Sequence, residues 1–188
     1  MEDGRTKSGD PLFESVVSRD RIYDGHFLHL DRLTVRLPDG RTGEREVVAM
    51  RDAVAVLPMD SEGRVHLIRQ HRPAIGRTLL EVPAGLIDAG ETPSAAAVRE
   101  CEEETGLRPG KLSELIAYAH AEGYSTAFVT LFLGTDLERT GRIRLDANEF
   151  VEQAALRYDE LLALVRSKRI VDSKTILCAL LAREMRHT

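Results

Sequence analysis

The chemically loaded part of this sequence is residues 85–107, GLIDAGETPSAAAVRECEEETGL, and above all its run Arg99-Glu100-Cys101-Glu102-Glu103-Glu104. Positions 100, 103 and 104 are three and four apart, so on a helix their side chains share one face. Like charges at that spacing repel by roughly 0.2–0.5 kcal/mol per pair. Near a helix C-terminus the macrodipole disfavours each anion by about 0.3–1 kcal/mol more. A helix selected for stability alone would carry Lys or Arg there. Arg99 can pair with Glu103 at i, i+4, but one Arg cannot neutralise this many carboxylates. A solvated acidic face would explain the charge by itself. A hard divalent cation would also explain it, since such ions take carboxylate and carbonyl oxygens and bridge phosphate substrates.

The flanking residues say how the cluster is positioned. Thr92 suits an N-cap, Pro93 the first helical position and Gly106 the position just past the end. Ala95, Ala96 and Ala97 favour helix strongly. A loop bearing Gly85 and Gly90 therefore feeds a helix that stops at a glycine.

Around it the chain reads as strands interleaved with helices, which implies a mixed-sheet α/β layer fold. Residues 22–50 are strand-like. A strand over 29–37, the turn residues Pro38-Asp39-Gly40 and a return strand over 45–50 predict a hairpin. Further strands are expected at 53–57, 65–68, 79–82, 127–133 and 150–156. Two closing helices are expected from Asp159 to about 167 and from Asp172, a credible N-cap, to about 186.

Composition sets outer bounds. The 188 residues are 43% hydrophobic and 30% charged, ordinary values for a globular chain of one domain or one domain with an addition. A formal charge of -5 argues against non-specific nucleic-acid binding, which needs a basic face. An acidic protein acting on phosphates needs local arginines or divalent cations. Two scattered cysteines, Cys101 and Cys178, suggest neither a disulfide framework nor a metal pair. The polar N-terminal stretch lacks an apolar signal core, and no apolar run reaches membrane-spanning length. The expectation is a cytoplasmic protein with no membrane partner.

The spacing of residues 85–107 matches the Nudix box: Gly85, Glu91, Arg99-Glu100, an apolar position at Cys101, Glu103-Glu104, Gly106 and Leu107. The chain thus resembles a Nudix hydrolase from about Ala53 to the last helix. That resemblance implies an α/β fold, an α/β/α sandwich with a mixed β-sheet. It implies Mg²⁺, with Mn²⁺ as a substitute, held by Glu100, Glu103, Glu104 and the backbone carbonyl of Ala84. Arg99 and Glu91 would hold those carboxylates in place.

The flanks resemble the ADP-ribose pyrophosphatases and related nucleoside diphosphate sugar hydrolases. Glu81-Val82-Pro83-Ala84-Gly85 is similar to their E-x-P-A-G approach to the box, and Gln70-His71-Arg72 to their Q-x-R strand end, whose Arg meets substrate phosphates. Residues 170–175 are similar to the start of their closing helix. The resemblance also implies an N-terminal β-hairpin subdomain exchanged within a homodimer. The expected organisation is a disordered tail over 1–11, the dimerising β subdomain over 12–50 and the Nudix domain over 51–188.

The expected reaction is in-line attack of water on one phosphorus, releasing a nucleoside monophosphate and a sugar phosphate. Glu149 is the candidate base, with Glu103 as its rival, and Arg99 a supporting residue. Arg72, Glu81, Arg45, Glu122 and Tyr124 are candidates on the substrate side. In this group a Ser-Pro-Gly-like loop usually follows the box; here Ala119-His120-Ala121-Glu122-Gly123-Tyr124-Ser125 puts Glu122 where the proline would be. ADP-ribose leads as substrate, with GDP-mannose-type sugars, nucleoside triphosphates and dinucleoside polyphosphates as alternatives. A non-catalytic sugar-nucleotide sensor also remains open.

Overall fold

The computed structural model describes residues 9–145 and 147–185, which form two compact units. The first holds residues 9–51 together with Ala119–Ala127. Its strands β1 (Ser15–Asp24), β2 (His29–Arg36) and β3 (Thr42–Ala49) make an antiparallel sheet in that order. The β2–β3 hairpin turns at Gly40, whose φ of 85° suits a residue without a Cβ. A third strand, β1, joins the expected hairpin. All ten of its residues are exposed, so it lacks the apolar alternation that marks a half-buried strand. It is held by its antiparallel ladder to β2, from Ser15 opposite Arg36 to Asp24 opposite His29, and by charge: Asp31 of β2, 1% exposed, takes both Arg19 and Arg21 of β1. The segment Ala119–Ala127 is bonded to the same unit through Val48 N to Tyr124 O (2.6 Å) and Thr126 N to Val48 O (3.1 Å).

The second unit contains β4 (Ala53–Pro58), β5 (Arg64–Arg72), β6 (Arg77–Glu81), β7 (Ala84–Leu86), α1 (Pro93–Thr105), β8 (Leu107–Ala119), β9 (Phe128–Arg139), β10 (Val151–Arg157), α2 (Tyr158–Arg166) and α3 (Ser173–Met185). One sheet runs β7-β4-β9-β8 and the other β10-β5-β6. β4 pairs parallel with β9 and antiparallel with β7, which makes the sheet mixed.

β4 is buried on both faces, as its unbroken apolar run requires. Val54 and Val56 pack with Ala96, Ala97 and Cys101 of α1 and with Phe132. Ala55 and Leu57 pack on the opposite face with Leu67, Leu131, Leu161 and Cys178. Tyr158 donates to the Ala179 carbonyl at 2.6 Å and fastens α2 to α3. Helices on both faces of a mixed sheet make the expected α/β/α sandwich. Residues 1–8 of the expected tail, Asp146, and Arg186 at the expected helix end lie outside the described residues. Among the described residues no helix is long and apolar enough to cross a membrane.

Candidate active site

α1 starts and stops where its residue types dictate. Thr92 Oγ1 accepts from Ala95 N at 3.2 Å, and Gly106 closes the helix at φ 68°, its N–H donating to the Glu102 carbonyl. Ala96, Ala97 and Cys101 face the sheet and are fully buried. Burial pushes the Cys101 thiol up to about 12, so it packs as a small hydrophobe. That anchoring decides where the acidic residues go.

Glu104 turns inward and is 2% exposed. Ala84 N donates to its Oε2 at 3.1 Å. Burial, then the neighbouring Glu149 and Glu100, push its carboxyl up to about 9. Burial also raises Glu100, against the pull of Arg99. Gly85 in β7 lies so close beneath Glu100 that a Cβ there would overlap the carboxyl group.

Arg99 spends its guanidinium on this arrangement. Nε and Nη2 bond the two Glu91 oxygens at 3.0 and 2.9 Å, and Nη2 also reaches the Leu86 carbonyl. Nη1 bonds Glu100 at 2.6 Å and Glu103 at 3.2 Å. The hydrogen bonds from Arg99 in turn hold Glu91 below the usual carboxylate range. Lys has no planar fork to repeat this. Arg99→Lys is expected to fold and to weaken divalent-cation affinity by about 10–100-fold, as loss of a ligand-orienting partner does. A calorimetric Mn²⁺ titration checks it, and unchanged affinity would make Arg99 a mere surface partner of the helix.

Two further groups converge here. Gln70 Nε2 donates to Glu149 Oε1 at 3.1 Å. Arg72 lies close enough to Glu104 to favour its ionised form, against the burial and carboxylates that raise it. Its Nε and Nη2 bond the two oxygens of Glu81 at 2.8 and 2.7 Å in a bidentate pair. Glu81 is 1% exposed and also takes Lys174 Nζ at 3.4 Å.

A family model described as "NUDIX domain" matches residues 49–177, well over half the chain. The chain belongs to the Nudix family. It is a hydrolase of the Nudix pyrophosphatase class. A second model, "Nucleoside diphosphate sugar hydrolase N-terminal domain", matches residues 14–48. An ADP-ribose pyrophosphatase of Bacillus subtilis (strain 168) is 36% identical over 165 residues, covering 87% of this chain and 89% of that protein. A methanol dehydrogenase activator of Bacillus methanolicus is 34% identical over the same length and the same shares of each chain. A solved ADP compounds hydrolase superposes with a TM-score of 0.82 at 22% identity, covering 96% of each chain, a likeness of fold.

The Nudix residues expected from the sequence divide between the two units. Ala84, Glu100, Glu103, Glu104, Arg99, Arg72, Glu81 and Glu149 all belong to the second. Arg45, Glu122 and Tyr124 belong to the first. There Arg45 Nη2 pairs with Glu14 at 2.5 Å, and Tyr124 is 59% exposed.

Nudix hydrolases generally use divalent metal ions, and the chemistry here fits one. Burial first, and then the carboxylates of Glu149 and Glu100, raise the Glu104 pKa, with the Ala84 N–H and Arg72 acting against them. A divalent ion would relieve that repulsion. The donors are not closed into a ready cage: among the described residues no three acidic, His or Cys side chains form one. Sequence reasoning missed Gln70 as the partner of Glu149, and Lys174, itself bonded to Asp172, as the partner of Glu81. The only signal for them was the family-like wording of residues 70–72 and 170–175.

Proposed function

We propose that this chain hydrolyses the pyrophosphate bond of a nucleoside diphosphate sugar, ADP-ribose first, with Mg²⁺ or its substitute Mn²⁺, as a cytoplasmic homodimer. The observation that carries this is Glu104, buried against Glu149 and Glu100 with Arg72 in electrostatic reach. Acceptors for a cation thus lie beside a donor for phosphate. The names of the Bacillus subtilis relative and of the N-terminal family support the substrate class. The homodimer, which the family resemblance implies, is supported by apolar side chains that β1 leaves in solvent, Val16, Val17, Ile22 and Tyr23. Two free, buried cysteines are consistent with a reducing cytoplasm.

Glu100, Glu103, Glu104 and the Ala84 carbonyl would hold the cation. When bound, it neutralises diphosphate charge and lowers the pKa of water. Arg72 would bind a phosphate oxygen, and Arg99 keeps Glu100 and Glu103 oriented. Glu149, steadied by Gln70, would take the proton of the attacking water. That water adds to one phosphorus as the bridging oxygen leaves with the other, yielding nucleoside monophosphate and sugar phosphate. On the substrate side, Glu81 acts through Arg72, while Glu122 is proposed for the sugar, Tyr124 for the nucleotide, and Arg45 for the substrate of a dimer. A carboxylate at Glu122 favours a second reading, a GDP-mannose-type substrate.

The test is Mg²⁺-dependent release of nucleoside monophosphate from ADP-ribose, GDP-mannose, UDP-glucose and a nucleoside triphosphate. ADP-ribose is expected to be fastest, and turnover of the triphosphate alone would overturn the proposal. Glu149→Gln is expected to lower kcat by about 10²–10⁴-fold. Full activity in that variant would pass the role of base to Glu103.

A further inference from the structure

Residues 170–175, Ile-Val-Asp-Ser-Lys-Thr, take no part in the chemistry above, yet they are built against it. Asp172 caps α3: its Oδ2 accepts from Thr175 N at 2.9 Å and from Thr175 Oγ1 at 2.6 Å. Thr175 Oγ1 in turn accepts from Val82 N at 2.8 Å, which bolts the helix to the residue after Glu81.

Lys174 is the anomaly. A cation in the first turn of a helix opposes the macrodipole, and burying an ammonium disfavours its charge. Helix capping alone would leave this position to a neutral or acidic residue. Its side chain is nevertheless only 17% exposed, bonded to Asp172 Oδ1 at 2.5 Å and to Glu81 Oε2 at 3.4 Å. Burial lowers its pKa, but Asp172 and then Glu81 outweigh that and hold it above the ordinary value.

The consequence falls on Arg72. Glu81 occupies Arg72 Nε and Nη2, while Nη1 has no protein partner among the described residues. A carboxylate gripped only by Arg72 could swing with it and would cancel its charge. Shared with Lys174, the Glu81 carboxylate is fixed from a second side and part of its charge is offset.

We propose that Lys174 is a positioning residue. Anchored by Asp172, it fixes the Glu81 carboxylate that grips Arg72, so that the Nη1 edge of Arg72 is held out to a substrate phosphate oxygen. This rests on the reading of Arg72 as a phosphate ligand.

The experiment is calorimetric binding of ADP with Mg²⁺ to wild type, Arg72→Gln, Lys174→Met, Lys174→Arg and the double variant R72Q/K174M, with thermal unfolding of each. Lys174→Met is expected to weaken ADP by about tenfold, the low end for loss of an orienting partner, and Lys174→Arg to restore most of it. In the Arg72→Gln background, Lys174→Met is expected to change affinity by less than about twofold, because its effect passes through Arg72. Lys174→Met with unchanged affinity overturns the proposal, as does an undiminished effect in the Arg72→Gln background. If Arg72→Gln itself binds ADP as wild type does, the phosphate-ligand reading falls first and the positioning role with it. Should Lys174→Met fail to fold, Lys174→Gln gives the same comparison.

Discussion

Glu104→Gln is expected to lose about a thousandfold or more in kcat and, in the same protein, to raise the thermal midpoint when divalent cations are removed. The loss follows if Glu104 holds the cation: several kcal/mol of transition-state charge stabilisation disappear, at about 1.4 kcal/mol per decade of rate. The gain follows from burial. The wild-type carboxyl sits 2% exposed beside Glu100 and Glu149, and its pKa is pushed up to about 9. Gln keeps an oxygen for the Ala84 N–H and carries no charge.

The pH dependence has a definite direction. The folded pKa lies above the ordinary 4.5. The folded chain therefore keeps a proton that the unfolded chain has released. The stability this contributes is full below about pH 4.5 and is lost as pH rises towards 9. Melting curves in chelator from pH 5 to 9 should show the wild-type midpoint falling relative to that of Glu104→Gln. Added Mg²⁺ should close the gap for wild type only. A Glu104→Gln protein less stable than wild type across that range would show that Glu104 is a structural acceptor rather than a strained ligand.

What the sequence disclosed divides along physical lines. The box helix was legible to within a residue because its signals are local: Thr92 caps it, Pro93 opens it and Gly106 ends it. β4 and β9 were legible because unbroken apolar runs mark strands buried on both faces. β8 was not legible. It lies at the sheet edge, where Pro109 and Gly110 are tolerated but read as turn residues. β1 was hidden for a related reason, since it pairs with β2 through its backbone and through Arg19 and Arg21 reaching Asp31, with all ten residues exposed and no apolar face to mark it. For the candidate site, the carboxylates and Arg99 could be proposed only through their match to the Nudix box. That Glu104 alone of the three points into the core depends on Cys101 and Ala97 anchoring the helix to β4, a fact of packing. The chain Arg72–Glu81–Lys174–Asp172 joins three distant segments, so no local pattern announces it.

Gly85 makes the second large effect. Its backbone conformation demands nothing unusual, for its φ is not among the positive ones and it pairs with Val54 as an ordinary strand residue. What it supplies is space for the Glu100 carboxyl group, which a Cβ would overlap. Gly85→Ala should therefore act by displacement. Glu100 is tied to Arg99 at 2.6 Å, so moving it pulls on the guanidinium that also holds Glu91 and Glu103. Misplacement of reacting groups by about 1 Å can cost about a hundredfold in rate, and overpacking typically costs about 1–3 kcal/mol of stability. Gly85→Ala is expected to show both, the first as kcat and the second as a lowered unfolding midpoint. The double variant G85A/E100A separates the causes. With the carboxyl group gone, the three atoms nearest the added methyl are removed, so the double variant should melt at least as high as Glu100→Ala alone, while remaining inactive. If Gly85→Ala destabilises the Glu100→Ala background as much as it does wild type, the space at Gly85 serves the strand and not the carboxylate.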